Sequence, residues 1–257
     1  MRMAPFLKQG RNIFLTLLFS ILLLTCGSAE AAITGIPFQE GEKLTYRAKW
    51  GLMPAGRVTL EVLSSEAGKG EDVYHFAMHS RTSAGVDTLY SIRDMQHSCT
   101  DLVRGRSLQY EKRSSGTRQR NIRVDFDWKN MKATYKEPAE AEKTVAILPG
   151  TLDPLALIYA LRLIELKTGD TIEIPVTTGK GFSLVRGNVI AREKILIEGK
   201  AYDTFVIVPE KKSMTGLLEK QPQMKIWLSA AKSRIPLKLQ IRHPFGSIHF
   251  ELISAVG

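Results

Sequence analysis

Strict alternation of apolar and polar residues recurs along this sequence and leaves little choice of fold. Successive side chains on a strand point to opposite faces, so a period of two marks a strand with one face buried and one wet. The clearest run sets Ile122, Val124, Phe126 and Trp128 against Arg123, Asp125 and Asp127, and Met131, Ala133 and Tyr135 resume the pattern beyond a Lys129-Asn130 turn. Leu44, Tyr46, Ala48 and Trp50 alternate with Lys43, Thr45, Arg47 and Lys49. Val58, Leu60 and Val62 do the same after Met53-Pro54-Ala55-Gly56, which reads as the turn of a hairpin. Further strands are predicted over 74–78, 107–112, 171–178, 182–189, 204–208, 225–229, 237–243 and 247–254. Pro236 sits just ahead of one of these, where its missing amide proton interrupts no ladder. The chain is therefore expected to be mainly β and antiparallel.

One segment breaks the alternation. Asp153-Pro154 followed by Leu155, Leu157, Ile158, Leu161, Leu163 and Ile164 supplies an N-cap, a proline at the first helical position and helix-spaced apolar residues. A single helix ending near Lys167 or Gly169 is predicted, packed into the concave side of the sheet because apolar residues occupy most of its circumference. No internal repeat, low-complexity tract or second composition regime interrupts residues 32–257, so one domain is expected there.

The N-terminus has the order of a secretion signal. Arg2, Lys8 and Arg11 precede an apolar run from Ile13 to Leu24, and small residues follow up to Ala29-Glu30-Ala31-Ala32. The apolar run falls short of the roughly 20 residues that span a bilayer. Cleavage is expected after Ala31, with Ala32 the second choice, giving a periplasmic or otherwise exported protein. Cys26, in Leu23-Leu24-Thr25-Cys26-Gly27, offers the alternative of a lipobox and a membrane-anchored lipoprotein, although Thr25 fits that motif poorly. Loss of Arg2, Lys8, Arg11 and Glu30 with the leader lowers the formal charge from +10 to +8. Export removes nucleic acid as a partner and leaves anionic lipid, lipopolysaccharide or glycan for a basic domain to meet. Only Cys99 survives cleavage, so no intramolecular disulfide can form and the fold rests on its apolar core.

The residues that could carry chemistry do not assemble a reaction centre. His75 and His79 have the spacing that pairs metal ligands on a helix, but on a strand they lie about 13 Å apart and read as solvent-facing histidines. Asp94, His97, Ser98 and Cys99 supply the residue types of a nucleophilic site without an elbow motif around the serine, and Cys99 reads as a small apolar filler. Gly179-Lys180-Gly181 lacks the remainder of a phosphate loop and reads as a hairpin turn. No catalytic residue, metal or cofactor is expected. Two basic stretches remain as candidate surfaces. Lys112, Arg113, Arg118, Arg120 and Arg123 gather around Ser114-Ser115-Gly116-Thr117, where a hairpin tip would offer cations to an anionic headgroup or glycan; the alternative is a solvated turn. Lys211, Lys212, Met214, Leu217 and Leu218 mix charge with apolar residues, as a flap over a pocket or a membrane-touching loop does, or as a loop whose leucines fold back onto the core.

Several short motifs, taken in order, match a family. Phe38-Gln39-Glu40-Gly41-Glu42-Lys43-Leu44-Thr45-Tyr46, Leu148-Pro149-Gly150 leading to Asp153-Pro154-Leu155 and Tyr159-Ala160-Leu161-Arg162, Gly199-Lys200-Ala201-Tyr202-Asp203-Thr204, and Ile226-Trp227-Leu228-Ser229 with Arg234-Ile235-Pro236-Leu237 resemble the bacterial domain-of-unknown-function 3108 family over about Phe38 to Ser254. The resemblance implies an exported protein with a spirally rolled antiparallel sheet, or open barrel, and no catalytic residue to carry over. A rolled sheet with one helix against it can enclose an apolar interior suited to greasy molecules. A non-catalytic envelope protein that binds a lipid-like or anionic component, or assists envelope assembly, is expected. The alternatives are a module docking an envelope protein through a sheet edge and an enzyme acting on cell-wall or lipid material.

Overall fold

Each strand of the protein pairs antiparallel with its neighbours. In this computed structural model, residues 35–64, 73–138, 140–210, 223–243 and 246–257 are described, apart from the side chain of 243. The elements run β1 (Lys43–Trp50), β2 (Met53–Leu63), β3 (Val73–Thr82), α1 (Ala84–Asp87), β4 (Arg93–Asp101), β5 (Arg106–Ser115), β6 (Gln119–Asp127), β7 (Lys132–Glu137), β8 (Glu140–Ala146), α2 (Pro154–Leu163), β9 (Thr171–Thr177), β10 (Phe182–Ile197), β11 (Lys200–Pro209), β12 (Gln223–Ser229), β13 (Pro236–His243) and β14 (Gly246–Val256). They form one 14-stranded sheet in the order β8-β7-β6-β5-β4-β3-β2-β1-β14-β13-β12-β11-β10-β9, so the sheet stays open, with β8 and β9 at its ends. Gly35–Gly257 is one compact unit. The fold is thus mainly β, an antiparallel rolled sheet with one packed helix, as the alternation and the resemblance imply.

A sheet this long must curl to bury one face, since strongly twisted open sheets seldom exceed about ten strands flat. Bulges supply local twist. They interrupt the register at Thr45/Tyr46, Ala48/Lys49, Cys99/Thr100, Val189/Ala191 and Trp227/Leu228. The curl brings the β9–β10 turn onto the inner face of β6 and β7. A Cβ on Gly179 would stand 2.9 Å from both Tyr135 Cβ and Val124 Cγ2, and its φ is +80°, so glycine alone fits the seat. Beside it, Lys180 bonds Glu140 at 2.6 Å and lies over the Tyr135 ring. The outer β8 edge carries Glu140, Glu142 and Lys143, charges that discourage further strand pairing, while β9 carries Pro175 and is bridged by Leu152 through Val176.

The inner face holds the core, in which Leu44, Leu60, Val62, Phe76, Val124 and Tyr135 pack with Leu155 and Tyr159 of α2. Phe76 and Tyr159 stack with centroids 3.7 Å apart. A smaller cluster joins Leu166, Ile172, Val189, Ile207 and Leu228. Three expectations are corrected. The helix ends at Leu163, not near Lys167, because Ile164 is already extended and its carbonyl accepts from Arg234, which frees Leu166 for the smaller cluster. Met53-Pro54-Ala55-Gly56 is strand, the tight turn lying at Gly51-Leu52. β10 runs on to Ile197, past the bulge at which the predicted strand stops. The expected secretion signal and the stretch from Lys211 to Lys220 lie outside the described residues.

Candidate functional site

Alternation on β1, β2 and β3 turns Tyr46, Ala48, Val58, Leu60, Met78 and Ser80 to one side, and β12, β13 and β14 turn Ile226, Leu228, Leu239, Ile248 and Phe250 toward them. Between these walls lies a cavity of about 500 Å³, with Ile158 and Leu161 of α2 also lining it. Its rim is made by Trp50, Tyr90 and Ile248, which are 43%, 41% and 36% exposed, so the apolar interior opens to solvent there. Polar groups are few. Asp94 faces the cavity from β4 and pairs with Lys112 at 2.7 Å, and Gln96 one step deeper accepts from the Tyr110 hydroxyl at 2.7 Å.

The short helix α1 is held over this rim by the Asp87 carboxylate and by Ser83. Arg93 and the Thr82 hydroxyl both donate to Asp87, and the α1 start is pinned to β2 through Ser83, whose amide reaches the Ala55 carbonyl at 2.9 Å. The Arg93 guanidinium and then Thr82 hold the Asp87 carboxyl at about 2, below its ordinary 3.8. A carboxyl lowered by folding stabilises the fold above its ordinary value, and that contribution is lost as pH falls through the lowered one. Protection of the Leu89 and Tyr90 amides, which bond to the Val86 carbonyl, is therefore expected to fall between pH 3.8 and about 2, after correction for intrinsic exchange. In Asp87→Asn it should be low throughout that window; wild-type protection that is flat with pH would show that the carboxylate does not hold the helix.

At the other end two buried polar clusters fix α2. Asp153 is fully buried and caps the helix, accepting from the amides of Leu155 and Ala156 and from the hydroxyls of Ser98 and Ser107 at 2.6 Å each. Burial raises its carboxyl above the ordinary value, against the pull of these four donors. Arg162, with a side chain 0% exposed, pairs with Glu42 at 2.5 Å and donates to the carbonyls of Pro37 and Ser233. Its guanidinium also lies over the Phe38 ring.

The basic hairpin forms as read, but the sheet divides its cations. Lys112 and Arg120 lie on the inner side, Arg113 and Arg123 on the outer, and Arg118 at the tip. Lys112 pairs with Asp94, Arg123 with Glu111 and Asp125, and Arg113 with Glu111. Arg120 bonds Glu137 at 2.7 Å and Tyr135 at 2.8 Å, and together they hold the Glu137 carboxyl at about 2. Four of the five are thus engaged with carboxylates of the same sheet. Lys211, Lys212, Met214, Leu217 and Leu218 lie outside the described residues.

The other reactive side chains are also separated by the pleat. Ser98 points inward to Asp153, whereas His97 and Cys99 point outward, so no serine–histidine pair can form. His75 is buried rather than solvent-facing, because its strand neighbour places His97 against it, Nδ1 to Nε2 at 3.3 Å with the rings stacked; His79 is exposed. Among the described residues, no group of three histidine, cysteine or acidic side chains is placed to hold a metal ion.

An unclosed antiparallel sheet rolled around an apolar cavity and one internal helix defines a β-barrel-like protein. The family model described as "Protein of unknown function (DUF3108)" matches residues 45–253, and the chain belongs to that family. Among solved structures it is similar to a beta-barrel-like protein of domain of unknown function DUF1849 from Brucella abortus, with 12% identity, a TM-score of 0.51 and coverage of 83% of this chain and 96% of that one. That likeness is one of fold. No curated protein matches the chain.

Proposed function

We propose that this protein is an exported, non-catalytic envelope protein that holds a lipid-like molecule with its apolar chain in the cavity between β1–β3 and β12–β14. The cavity carries the reading: its volume of about 500 Å³ falls in the range of roughly 300–1,000 Å³ typical of small-molecule sites, and its walls are almost wholly hydrocarbon. About ten methylenes leaving water at about 0.8 kcal/mol each give about 8 kcal/mol, the scale of a micromolar Kd before the costs of immobilisation. The Asp94–Lys112 pair at the wall suits the polar end of such a molecule, since both ions retain partial access to water.

The test is to express the full chain in its native envelope, purify it and identify co-purifying lipid by extraction and mass spectrometry. Val58→Trp, which fills the cavity from β2, should reduce lipid per protein by about tenfold or more, equivalent to about 1.4 kcal/mol. Its thermal midpoint should stay close to wild type, because the indole enters open space. Wild-type protein free of lipid, or a variant that carries the same lipid load, would sink the reading.

A further inference from the structure

The rim of the cavity gathers several of the most exposed large apolar side chains among the described residues. Leu52 is 99% exposed, Leu89 84% and Met53 60%, and Trp50 and Tyr90 stand beside them. These side chains belong to two loops that hydrogen bonds tie to the neighbouring strands. Gly51 donates to the Ser247 carbonyl, and the Ser83 hydroxyl donates to the Pro54 carbonyl at 2.8 Å, so the β1–β2 turn, the α1 segment and the start of β14 form one projecting edge. Soluble surfaces scatter single apolar residues, whereas a contiguous group at the mouth of an apolar cavity marks an interaction site.

On the face opposite the cavity, four arginines stand in one row across four neighbouring strands. Arg47 on β1 is directly opposite Arg57 on β2, Arg57 is opposite Arg81 on β3, and Arg81 is opposite Arg93 on β4. Like charges directly opposite across a ladder destabilise a sheet. Glu198 takes up Arg47 and Asp87 takes up Arg93, but Arg57 and Arg81 are exposed and make no ion pair among the described residues. Arg57 lies four residues from Met53, and Arg93 four from Leu89, or about 13 Å along a strand. Amphipathic surfaces that rest in a membrane interface bury their apolar face by roughly 5–10 Å, with aromatic residues and cations at headgroup level.

We propose that this edge docks the protein, mouth first, on an anionic phospholipid bilayer, with Leu52, Met53 and Leu89 entering the acyl boundary and Arg57 and Arg81 meeting lipid phosphates. The charge of the row selects an anionic membrane over a neutral one, and the continuity of the rim with the cavity places the opening against the hydrocarbon. The purpose of the docking, exchange of a lipid-like guest, rests on the function proposed above; its geometry does not.

Sedimentation of the full exported chain with phosphatidylglycerol-containing vesicles, compared with pure phosphatidylcholine vesicles, tests the docking. Wild type should bind the anionic vesicles preferentially and release as salt rises, because the Debye length shrinks. Arg57→Thr with Arg81→Thr should weaken binding about thirtyfold, at about fivefold per cation, and flatten the salt dependence. The same pair should keep or raise the thermal midpoint, since it relieves opposed charges with β-branched residues, an outcome a merely structural role would reverse. Leu52→Ser with Leu89→Ser should weaken binding about a hundredfold on the same vesicles. Lipids brominated on their chains should quench Trp50, with Trp50→Phe removing most of the quenching. Val58→Trp should sediment like wild type, so loss of cavity occupancy and loss of docking can be told apart. Wild type that carries extracted lipid but ignores anionic vesicles, or variants that bind as well as wild type, would overturn the proposal.

Discussion

Replacing Arg162 with methionine is expected to lower the stability of the fold by about 3–5 kcal/mol, because it leaves the Glu42 carboxylate buried without its counter-ion. The two side chains are 0% and 10% exposed, and the guanidinium also satisfies the carbonyls of Pro37 and Ser233. Urea titrations at neutral pH would read the loss as a lower midpoint with an unchanged slope. The double variant Arg162→Met with Glu42→Leu should recover part of it, since removing both ions avoids the stranded charge. A single variant as stable as wild type would mean that water reaches Glu42 at little cost.

Asp153→Ala should cost about 2–4 kcal/mol, more than the roughly 1 kcal/mol of a lost helix cap alone. The addition comes from Ser98 and Ser107, both 0% exposed, whose hydroxyls donate to the same carboxylate oxygen. Asp153→Asn keeps acceptors for the amides of Leu155 and Ala156 and should fall between wild type and alanine. Calorimetric midpoints for the three proteins give the order directly, and equal midpoints for alanine and wild type would show that the cap and its serines are dispensable.

These two clusters show where the sequence could be read and where it could not. Asp153-Pro154 announces a helix start because capping is local, written in adjacent residues. The serines that share the carboxylate come from β4 and β5, and nothing local marks them. Arg162 and Glu42 are 120 residues apart, and an arginine on an otherwise apolar helix gives no sign of its partner. Strands with one dry and one wet face were legible from alternation, as β1, β6 and β13 illustrate. β4 escaped because its inward residues are Asp94, Gln96, Ser98 and Thr100, so polar side chains occupy both faces. β8 escaped because this edge strand packs only Val145 against the core, too little to impose a pattern. The cavity was foreseeable in kind from a rolled sheet, but its walls depend on which strands the curl brings face to face. The arginine row is a property of register: Arg47, Arg57, Arg81 and Arg93 look unremarkable in sequence and align only after three hairpins have formed.

The two end strands of the sheet, β8 and β9, do not pair with each other. In a closed barrel the number of strands and their shear set the radius, and no widening is possible without breaking ladder hydrogen bonds. Here the two ends meet through Gly179 seated on Tyr135 and Val124, through Lys180 bonded to Glu140 with Glu137 nearby, and through the Thr151-Leu152 backbone, which bonds β9 on one side and Ser107 of β5 on the other. The Lys180–Glu140 pair, about a third exposed on each side, contributes only about 0–1 kcal/mol. The roll is therefore like a coil spring wound without a weld: its seam holds by one seated glycine, the ion pairs of one lysine and a short backbone bridge, and a change of girth would break these before any strand lost a neighbour.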